Sequence, residues 1–158
     1  MLKTKKLSLM QYAFQEAQKA FDLDEIPVGA VISYKNHIIA AAHNATRAIP
    51  DPTGHAEIRA IRKACKILKS QRLTNCDLYV TLEPCAMCAA AISFARIRRL
   101  YYGAVNPKSG AIEHGPCFFK QKTCNHIPDI YPAIAEKTSA ELLKSFFLKK
   151  RKKQNNQI

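Results

Sequence analysis

The chain has 158 residues, of which 47% are hydrophobic and 23% charged, and a formal net charge of +13. This length suits one domain with an ordinary core, and the composition is that of a soluble globular protein. No run approaches the ~18 uninterrupted apolar residues of a membrane span, and Gln11, Gln15 and Glu16 interrupt the apolar run that a signal peptide needs. We therefore expect a cytoplasmic protein without membrane partners, whose six cysteines are thiols and metal ligands rather than disulfides.

The positive charge is concentrated at the two ends of the chain. Lys3, Lys5 and Lys6 supply three charges near the N-terminus, and residues 144–153 supply six near the C-terminus. A polyanionic partner such as a nucleic acid would explain this distribution. A solvated, solubilising tail explains a lysine run about equally well, so the charge alone leaves both interpretations open.

The first elements are a helix and a strand hairpin. Apolar residues recur with helical spacing from Met10 to Phe21, which predicts an amphipathic helix capped by Ser8. Residues 28–34 and 37–42 are predicted to be two antiparallel strands joined by a turn. Neither strand alternates regularly between apolar and polar residues, which predicts that both strands are buried on both faces.

A second helix is predicted from about Thr53 to Lys69, after a loop rich in proline and glycine. Extending its apolar stripe backwards by three residues reaches Glu57. A carboxylate at the head of a buried stripe requires a functional reason. The stripe itself consists of Ala60, Ile61, Ala64, Cys65 and Leu68.

The second half of the chain continues with alternating strands and helices. Residues 77–82 are predicted to be a third strand, and Pro84 is expected at the first position of a third helix from Cys85 to Ala95. This helix is apolar all round, so we expect it to be buried. A fourth strand at 99–105 follows, in a parallel crossover.

The C-terminal part is predicted to contain a long loop, a short strand and a helix. The strand at 127–131 is expected at a sheet edge, because Pro128 and Pro132 would not be tolerated centrally. The last helix is expected at 139–150, running into a basic tail at about 149–158. The predicted order is αββαβαβ(β)α, a single α/β domain spanning residues 1–158.

Two short segments carry the candidate chemistry: His55-Ala56-Glu57 and Cys85-Ala86-Met87-Cys88. Two thiolates at i and i+3 in the first helical turn project to one side, and the positive end of the helix lowers their pKa. His55 would supply a third ligand from the neighbouring helix. Three nitrogen and sulfur ligands without an obvious fourth describe a catalytic zinc site with an open position for water. Glu57 could take a proton from that water and pass it to a leaving group.

Two other interpretations of the cysteines remain. A thioredoxin-like redox pair would leave Glu57 and His55 unexplained. A purely structural zinc would need a fourth ligand from another cysteine. The cysteines that could supply it are Cys65, Cys76, Cys117 and Cys124, and the histidines without ligand spacing, expected to be structural or surface residues, are His37, His43, His114 and His126.

The two segments resemble the H-x-E and P-C-x-x-C signature of the zinc-dependent nucleobase deaminases. Flanking segments more closely resemble the bacterial tRNA-specific adenosine deaminases of the cytidine deaminase superfamily. The resemblance extends from the first helix to the last. It is carried by residues 25–31, 43–44, 51–58, 79–88, 96–99 and 102–104.

This resemblance implies a three-layer α/β/α fold around a five-stranded mixed sheet, assembled as a homodimer. The implied reaction is hydrolytic deamination of adenosine to inosine at the wobble position (34) of a tRNA anticodon. His55, Cys85 and Cys88 would hold one zinc ion per subunit, and Glu57 would shuttle protons while ammonia leaves.

The resemblance also implies substrate contacts. Asn44 would hydrogen-bond the flipped base or its sugar, and the backbone of Val28, Gly29 and Ala30 would form a wall of the pocket. The resembling proteins commonly have Asp where this sequence has Asn106. Because an amide accepts a hydrogen bond from a ribose 2′-hydroxyl without charge assistance, we hypothesise that Asn106 weakens discrimination between RNA and DNA.

Two alternatives to a tRNA adenosine deaminase follow from the same residues. A deaminase of free guanine or cytosine would share the metal site but would ignore an anticodon stem-loop. A zinc-stabilised RNA-binding module without catalysis would have a fully protein-ligated metal and no need for Glu57. The lysine and arginine excess favours an RNA substrate over a free base.

Overall fold

The computed structural model of the chain describes residues 8–157, so the predicted charges at Lys3, Lys5 and Lys6 lie outside the described residues. Five strands form one sheet in the order β2-β1-β3-β4-β5. None of the helices in the described part of the chain is long and apolar enough to span a membrane. The elements are α1 (Leu9–Asp22), β1 (Gly29–Tyr34), β2 (His37–His43), α2 (Ala56–Leu68), β3 (Cys76–Leu82), α3 (Ala86–Phe94), β4 (Arg99–Ala104), a 3₁₀ turn (Phe118–Lys120), β5 (Asp129–Tyr131) and α4 (Glu136–Asn155).

The sheet is mixed, as expected. β1 pairs antiparallel with both β2 and β3, whereas β3, β4 and β5 run parallel to one another. The predicted order of elements and the short edge strand are therefore confirmed, and the structure adds that this strand runs parallel to β4. Ser8 caps α1 in the predicted way: its side chain accepts the Gln11 N–H while the Gln11 side chain accepts the Ser8 N–H.

Helices cover both faces of the sheet. Alternate residues of each central strand point to opposite layers, so that Leu78 and Val80 of β3 pack in the core beneath α2 and α3. Tyr79 lies with Val31 in a second cluster under α1. α4 packs on the same face as α1, where the Ser139 hydroxyl donates to the Thr81 carbonyl. The result is the predicted three-layer α/β/α arrangement.

α1 approaches the sheet too closely for a side chain at Gly29. A Cβ at that position would collide with the Ala13 carbonyl and the Ala17 backbone nitrogen. The Gly29 N–H donates instead to the hydroxyl of Thr81 on β3. This glycine therefore sets the spacing between α1 and the strands that lead to the site.

The starts of α2 and α3 differ from the predicted starts. α2 begins at Ala56 with His55 as its N-cap residue, because Asp51 and Thr53 form a turn in which the Asp51 carboxylate accepts the Thr53 N–H. α3 begins at Ala86 with Cys85 as its extended N-cap residue. Pro84 thus precedes the cap and is not the first helical residue.

The prediction that both hairpin strands are buried on both faces holds for β1 and is wrong for β2. Residues 29–33 are all buried, but β2 is an edge strand in which Ala40 and Ala42 alternate with more exposed neighbours. Two cationic side chains of α2 donate hydrogen bonds to backbone carbonyls of β2: Lys63 donates to Ala41, and Arg59 donates to His43. This contact leaves less of the edge open to further strand pairing.

The prediction of a fully buried α3 is also wrong for the single chain. Cys88, Ala89 and Ile92 face the core, but Phe94 is 77% exposed and Ala86 is exposed as well. The helix presents an apolar surface that no element among residues 8–157 covers. An exposed apolar patch of this kind is typical of a subunit interface.

The predicted basic tail is part of a helix. α4 runs from Glu136 to Asn155, beyond the predicted end at Lys150. Its position is fixed near the other end of the chain, because the Phe146 ring packs edge-on against Phe21 at a centroid distance of 5.8 Å. The Lys150 ammonium adds an ion pair of 2.6 Å with Asp24.

Candidate active site

The candidate site lies where α2 and α3 begin. His55 and Cys85 are the N-cap residues of the two helices, and neither side chain caps its own helix, so both are free to point at a shared position. The His55 Nδ1 atom is 3.6 Å from the Cys85 Sγ and 3.5 Å from the Cys88 Sγ. All three potential ligand atoms lie within 4.8 Å of one another.

These separations suit one tetrahedral zinc ion. Zn–S bonds of about 2.3 Å and Zn–N bonds of about 2.0 Å at tetrahedral angles place nitrogen and sulfur ligands roughly 3.5 Å apart. Among residues 8–157, this is the only cluster of three or more potential metal ligands. Cys65, Cys76, Cys117 and Cys124 do not join it, which removes the fourth ligand that the structural-zinc interpretation requires.

The two thiols of the site are electrostatically distinct. A hydrogen bond from Cys88 lowers the pKa of Cys85 to about 4, against the opposing effect of burial. The same hydrogen bond and burial raise the pKa of Cys88. The hydrogen bond to Cys85 also raises the pKa of His55. The lowered pKa of Cys85 favours the thiolate, which is the form that binds a metal.

Glu57 is the buried carboxyl that the apolar stripe of α2 predicts. It is 4% exposed and stands in the first turn of the helix, two residues after His55. Burial raises its pKa to about 7. A carboxyl group with a pKa near the working pH can both accept and return a proton, which suits general acid–base catalysis.

A cavity of about 290 Å³ opens directly on this cluster. Its volume is at the lower end of the range for small-molecule pockets, ~300–1,000 Å³. Both apolar and polar residues line it. The lining residues are Ile26, Val28, Asn44, His55, Ala56, Glu57, Leu82, Glu83, Cys85, Asn106 and Ser109.

Asn44 lies on the wall of this cavity. Its backbone N–H donates to the Val28 carbonyl at 3.0 Å, and the residue is 5% exposed. Its side-chain amide has no hydrogen-bond partner within the part of the chain that the structure describes. Because buried amides are normally paired, this side chain is available for a ligand.

The three residues expected to form a pocket wall have different positions. Val28 lines the cavity. Gly29 packs against α1, and Ala30 is fully buried in the core that faces α2 and α3. Val28 therefore forms the surface, and the other two residues support it from behind.

Asn106 follows β4 and also lines the cavity. Its side-chain oxygen accepts the Ser109 N–H at 3.2 Å, and its own backbone N–H donates to the Glu83 carboxylate at 3.2 Å. Sequence reasoning missed Glu83, which is 1% exposed. The sequence feature that could have identified Glu83 is its position: it is a charged residue between an apolar strand and an apolar helix, immediately before Pro84.

A wider groove of about 830 Å³ adjoins the cavity along α4. The two spaces share Ile26, Leu82, Asn106 and Ser109 as lining residues. The buried Glu25 carboxylate fixes one rim by accepting the backbone N–H groups of residues 47 and 48. The groove combines apolar residues (Val105, Leu143, Phe146 and Phe147) with cationic ones (Arg47, Lys108, Lys150 and Arg151).

The family model described as MafB19-like deaminase matches residues 4–151. The chain belongs to this deaminase family. It is 57% identical over 142 residues to the tRNA-specific adenosine deaminase of Agrobacterium fabrum, across 90% of this chain and 93% of that protein. The predicted membership of the deaminases is thereby confirmed.

Solved structures agree with this assignment. A structure from a study of A-to-I editing by tRNA:A34 deaminases at the wobble position superposes with a TM-score of 0.84 at 57% identity, covering 85% of this chain and 97% of that one. The guanine deaminase from Bacillus subtilis superposes with a TM-score of 0.61 at 33% identity, covering 84% and 88%. The cytidine-deaminase-like fold and a hydrolytic deaminase activity are therefore confirmed.

Proposed function

We propose that the protein is a tRNA-specific adenosine deaminase, which converts adenosine to inosine at wobble position 34 of a tRNA anticodon. The observation that carries this proposal is the buried carboxyl of Glu57, which shares one small cavity with a three-donor metal cluster. We propose adenosine in tRNA as the substrate because the relative that is 57% identical over nearly the whole chain is a tRNA-specific adenosine deaminase. The guanine deaminase from Bacillus subtilis has a lower sequence identity to this chain, 33%.

We propose that His55, Cys85 and Cys88 hold one zinc ion per subunit. The donor spacing fits a tetrahedral ion, and the lowered pKa of Cys85 favours the thiolate that binds it. Three protein ligands leave one coordination position for a non-protein ligand. When bound, zinc supplies an acidified water as the nucleophile.

Glu57 then performs the proton transfers. The net reaction adds water at C6 of adenine, forms a carbon–oxygen bond, breaks the bond to the amino nitrogen and releases ammonia. Glu57 accepts the proton that the water loses and delivers it to the departing nitrogen. Its pKa of about 7 allows both steps without a large energetic penalty in either direction.

The cavity wall orients the base. Asn44 offers a side-chain amide that can both donate to and accept from the base or its sugar. Val28 supplies an apolar surface for the ring, and Asn106 stands where the cavity meets the groove. We include Gly29 and Ala30 as the backbone that supports Val28. A wobble base lies in a single-stranded loop, so extruding it into this cavity is comparatively inexpensive.

The adjoining groove suits the rest of an anticodon stem-loop. Arg47, Lys108 and Arg151 line it and can neutralise phosphates, while Phe147 provides an aromatic surface for a flanking base. A deaminase of free guanine or cytosine has no need for this second space. Lys150 and Arg151, two of the basic residues near the end of α4, line this groove, which supports the proposal.

We further propose one catalytic domain over residues 1–158, with a basic C-terminal extension at about 149–158. It would assemble as a homodimer through the exposed apolar side of α3 around Phe94. A cytoplasmic location follows from the proposed tRNA substrate, and no membrane partner is required.

The test is a comparison of substrates with the zinc-loaded protein. An anticodon stem-loop with adenosine at the wobble position is incubated with the enzyme and digested, and the nucleosides are analysed by mass spectrometry. We expect inosine from the stem-loop and no product from free guanine or cytosine. Product from a free base, with none from the stem-loop, would establish the alternative function.

A further inference from the structure

Glu83 is a buried carboxylate that the proposed mechanism does not use. It lies between the end of β3 and the metal ligand Cys85, and it is 1% exposed. Its backbone N–H joins β3 to β4 through the Ala104 carbonyl at 2.8 Å. A buried carboxylate is costly unless its oxygens are satisfied by hydrogen bonds.

Both carboxylate oxygens are occupied by one loop, which we call the 106–114 loop. Oε1 accepts the Asn106 N–H at 3.2 Å and pairs with the His114 Nδ1 at 2.8 Å. Oε2 accepts the N–H groups of Ile112 and Glu113, each at 3.3 Å. Four donors from one segment therefore converge on a single side chain.

The backbone adds a second attachment of the same loop. Ala111 N–H donates to the Pro84 carbonyl at 2.9 Å, and Gly110 forms an isolated bridge with Cys85. A Cβ at Gly110 would collide with the Glu83 carboxylate. The loop thus packs directly on the segment that carries a metal ligand.

We propose that Glu83 is a positioning residue that holds the 106–114 loop against the catalytic segment, so that Asn106 and Ser109 form the outer wall of the base cavity. This inference rests on the proposed function for its substrate. Glu83 acts through the loop, because its oxygens are committed to loop donors and not to the reacting atoms. Loss of the carboxylate should therefore weaken substrate binding more than the chemical step.

Glutamine is an informative substitution because it preserves size but cannot accept all four hydrogen bonds. If the amide NH₂ of glutamine takes the Oε1 position, two hydrogen-bond donors face each other there, the NH₂ group and the Asn106 N–H. If it takes the Oε2 position, it opposes the N–H groups of Ile112 and Glu113. Glu83→Asp keeps the charge but shortens the side chain by one methylene. Glu141→Gln on α4 is the matched control, because it changes an exposed carboxylate that makes no hydrogen bond or ion pair within residues 8–157.

The experiment measures kcat and KM on the anticodon stem-loop, zinc content, and amide hydrogen exchange of the loop, in the zinc-loaded enzyme and its variants. For Glu83→Gln we expect KM to rise by at least about tenfold, because hydrogen bonds to a charged group are lost. We expect kcat to fall by a smaller factor, zinc content to stay unchanged, and the amides of residues 112 and 113 to exchange faster. Glu83→Asp should give values between those of the wild type and Glu83→Gln, and Glu141→Gln should match the wild type.

Two results would overturn the proposal. One is unchanged exchange of the loop amides in Glu83→Gln, since the carboxylate would then not hold the loop. The other is an unchanged KM accompanied by a loss of zinc or folded protein, which indicates a purely structural role. If Glu83→Gln fails to fold, Glu83→Asp decides by the same criteria. If the wild type makes no inosine, the proposed function fails, and the exchange measurement still judges the loop contact.

Discussion

Three buried polar residues near the cavity, Asn44, Glu57 and Glu83, differ in how their side chains are hydrogen-bonded within the protein. Glu57 has its pKa raised by burial, which prepares it for proton transfer. Asn44 keeps an amide that is available to a ligand. Glu83, in contrast, is fully engaged with its own chain. All three residues line the cavity, but only the carboxylate of Glu83 is held by four hydrogen bonds from one loop.

Asn44→Ala tests the role of a side chain that contributes little to the fold. Because its amide has no partner within residues 8–157, we expect almost no change in the midpoint of thermal unfolding. We expect kcat/KM on the stem-loop to fall roughly 3- to 10-fold, the effect of one lost hydrogen bond. Thermal unfolding and steady-state kinetics check this. A large loss of stability with unchanged kcat/KM would contradict the assignment.

Asn106→Asp tests the hypothesis on nucleic-acid selectivity. Aspartate can still accept the Ser109 N–H that Asn106 accepts at 3.2 Å, and it adds a charge that strengthens a bond from a ribose 2′-hydroxyl. We expect the variant to prefer an RNA stem-loop over matched DNA more strongly than the wild type does. Equal ratios of kcat/KM for the two substrates in both proteins would refute the hypothesis.

At the scale of elements, α2 and α3 contribute their first turns to the chemistry and α4 contributes a charged wall. The N-termini of α2 and α3 converge, which brings ligands 30 and 33 residues apart into contact. α4 is fixed beside them by Phe146 and by the ion pair of Lys150 with Asp24. The metal cluster therefore lies at two helix N-termini, and the groove is formed by a helix and loops.

The cationic groove predicts a dependence on salt. Lys108 and Arg151 line the groove, whereas Lys144 is exposed on α4 outside it. Each neutralised phosphate contributes roughly 0.7–0.9 to the slope of log K against log salt. We expect Lys108→Ala and Arg151→Ala each to weaken stem-loop binding and to reduce this slope. Lys144→Ala is the control, and an equal effect of all three would show that only net charge matters.

Sequence patterns predicted the local features of the fold and missed those that depend on distant neighbours. Helical periodicity located α1 and α2 and identified Glu57 as an inward carboxylate. The edge position of β2 and the exposed side of α3 depend on which elements lie beside them, and no local pattern reports this. Glu83 was missed for the same reason, because its hydrogen-bond partners are 23 to 31 residues away.

At the scale of the whole molecule, the uncovered side of α3 predicts association. Phe94 is 77% exposed, so its burial in a homodimer would remove a large apolar surface from water. We expect Phe94→Lys to raise the dimer dissociation constant at least about tenfold. Sedimentation velocity over a range of concentrations measures this. Ile67→Lys on α2 is the control, since Ile67 is 57% exposed and lies outside the proposed interface.

A wild-type protein that sediments as a monomer at all concentrations would contradict the proposed homodimer. So would a Phe94→Lys variant that dimerises as tightly as the wild type. Either result would leave the catalytic proposal intact, because every residue assigned to the metal site and the cavity belongs to the same chain.

The proposed deamination depends on one carboxyl group, Glu57, beside one cluster of metal ligands. The most direct test is the rate of inosine formation by Glu57→Gln and by the wild type, on the same anticodon stem-loop and at equal zinc content. We expect the variant to bind zinc normally and to react at least about 10²-fold more slowly, since it lacks the group that transfers protons. Equal rates in the two proteins would contradict the proposed mechanism.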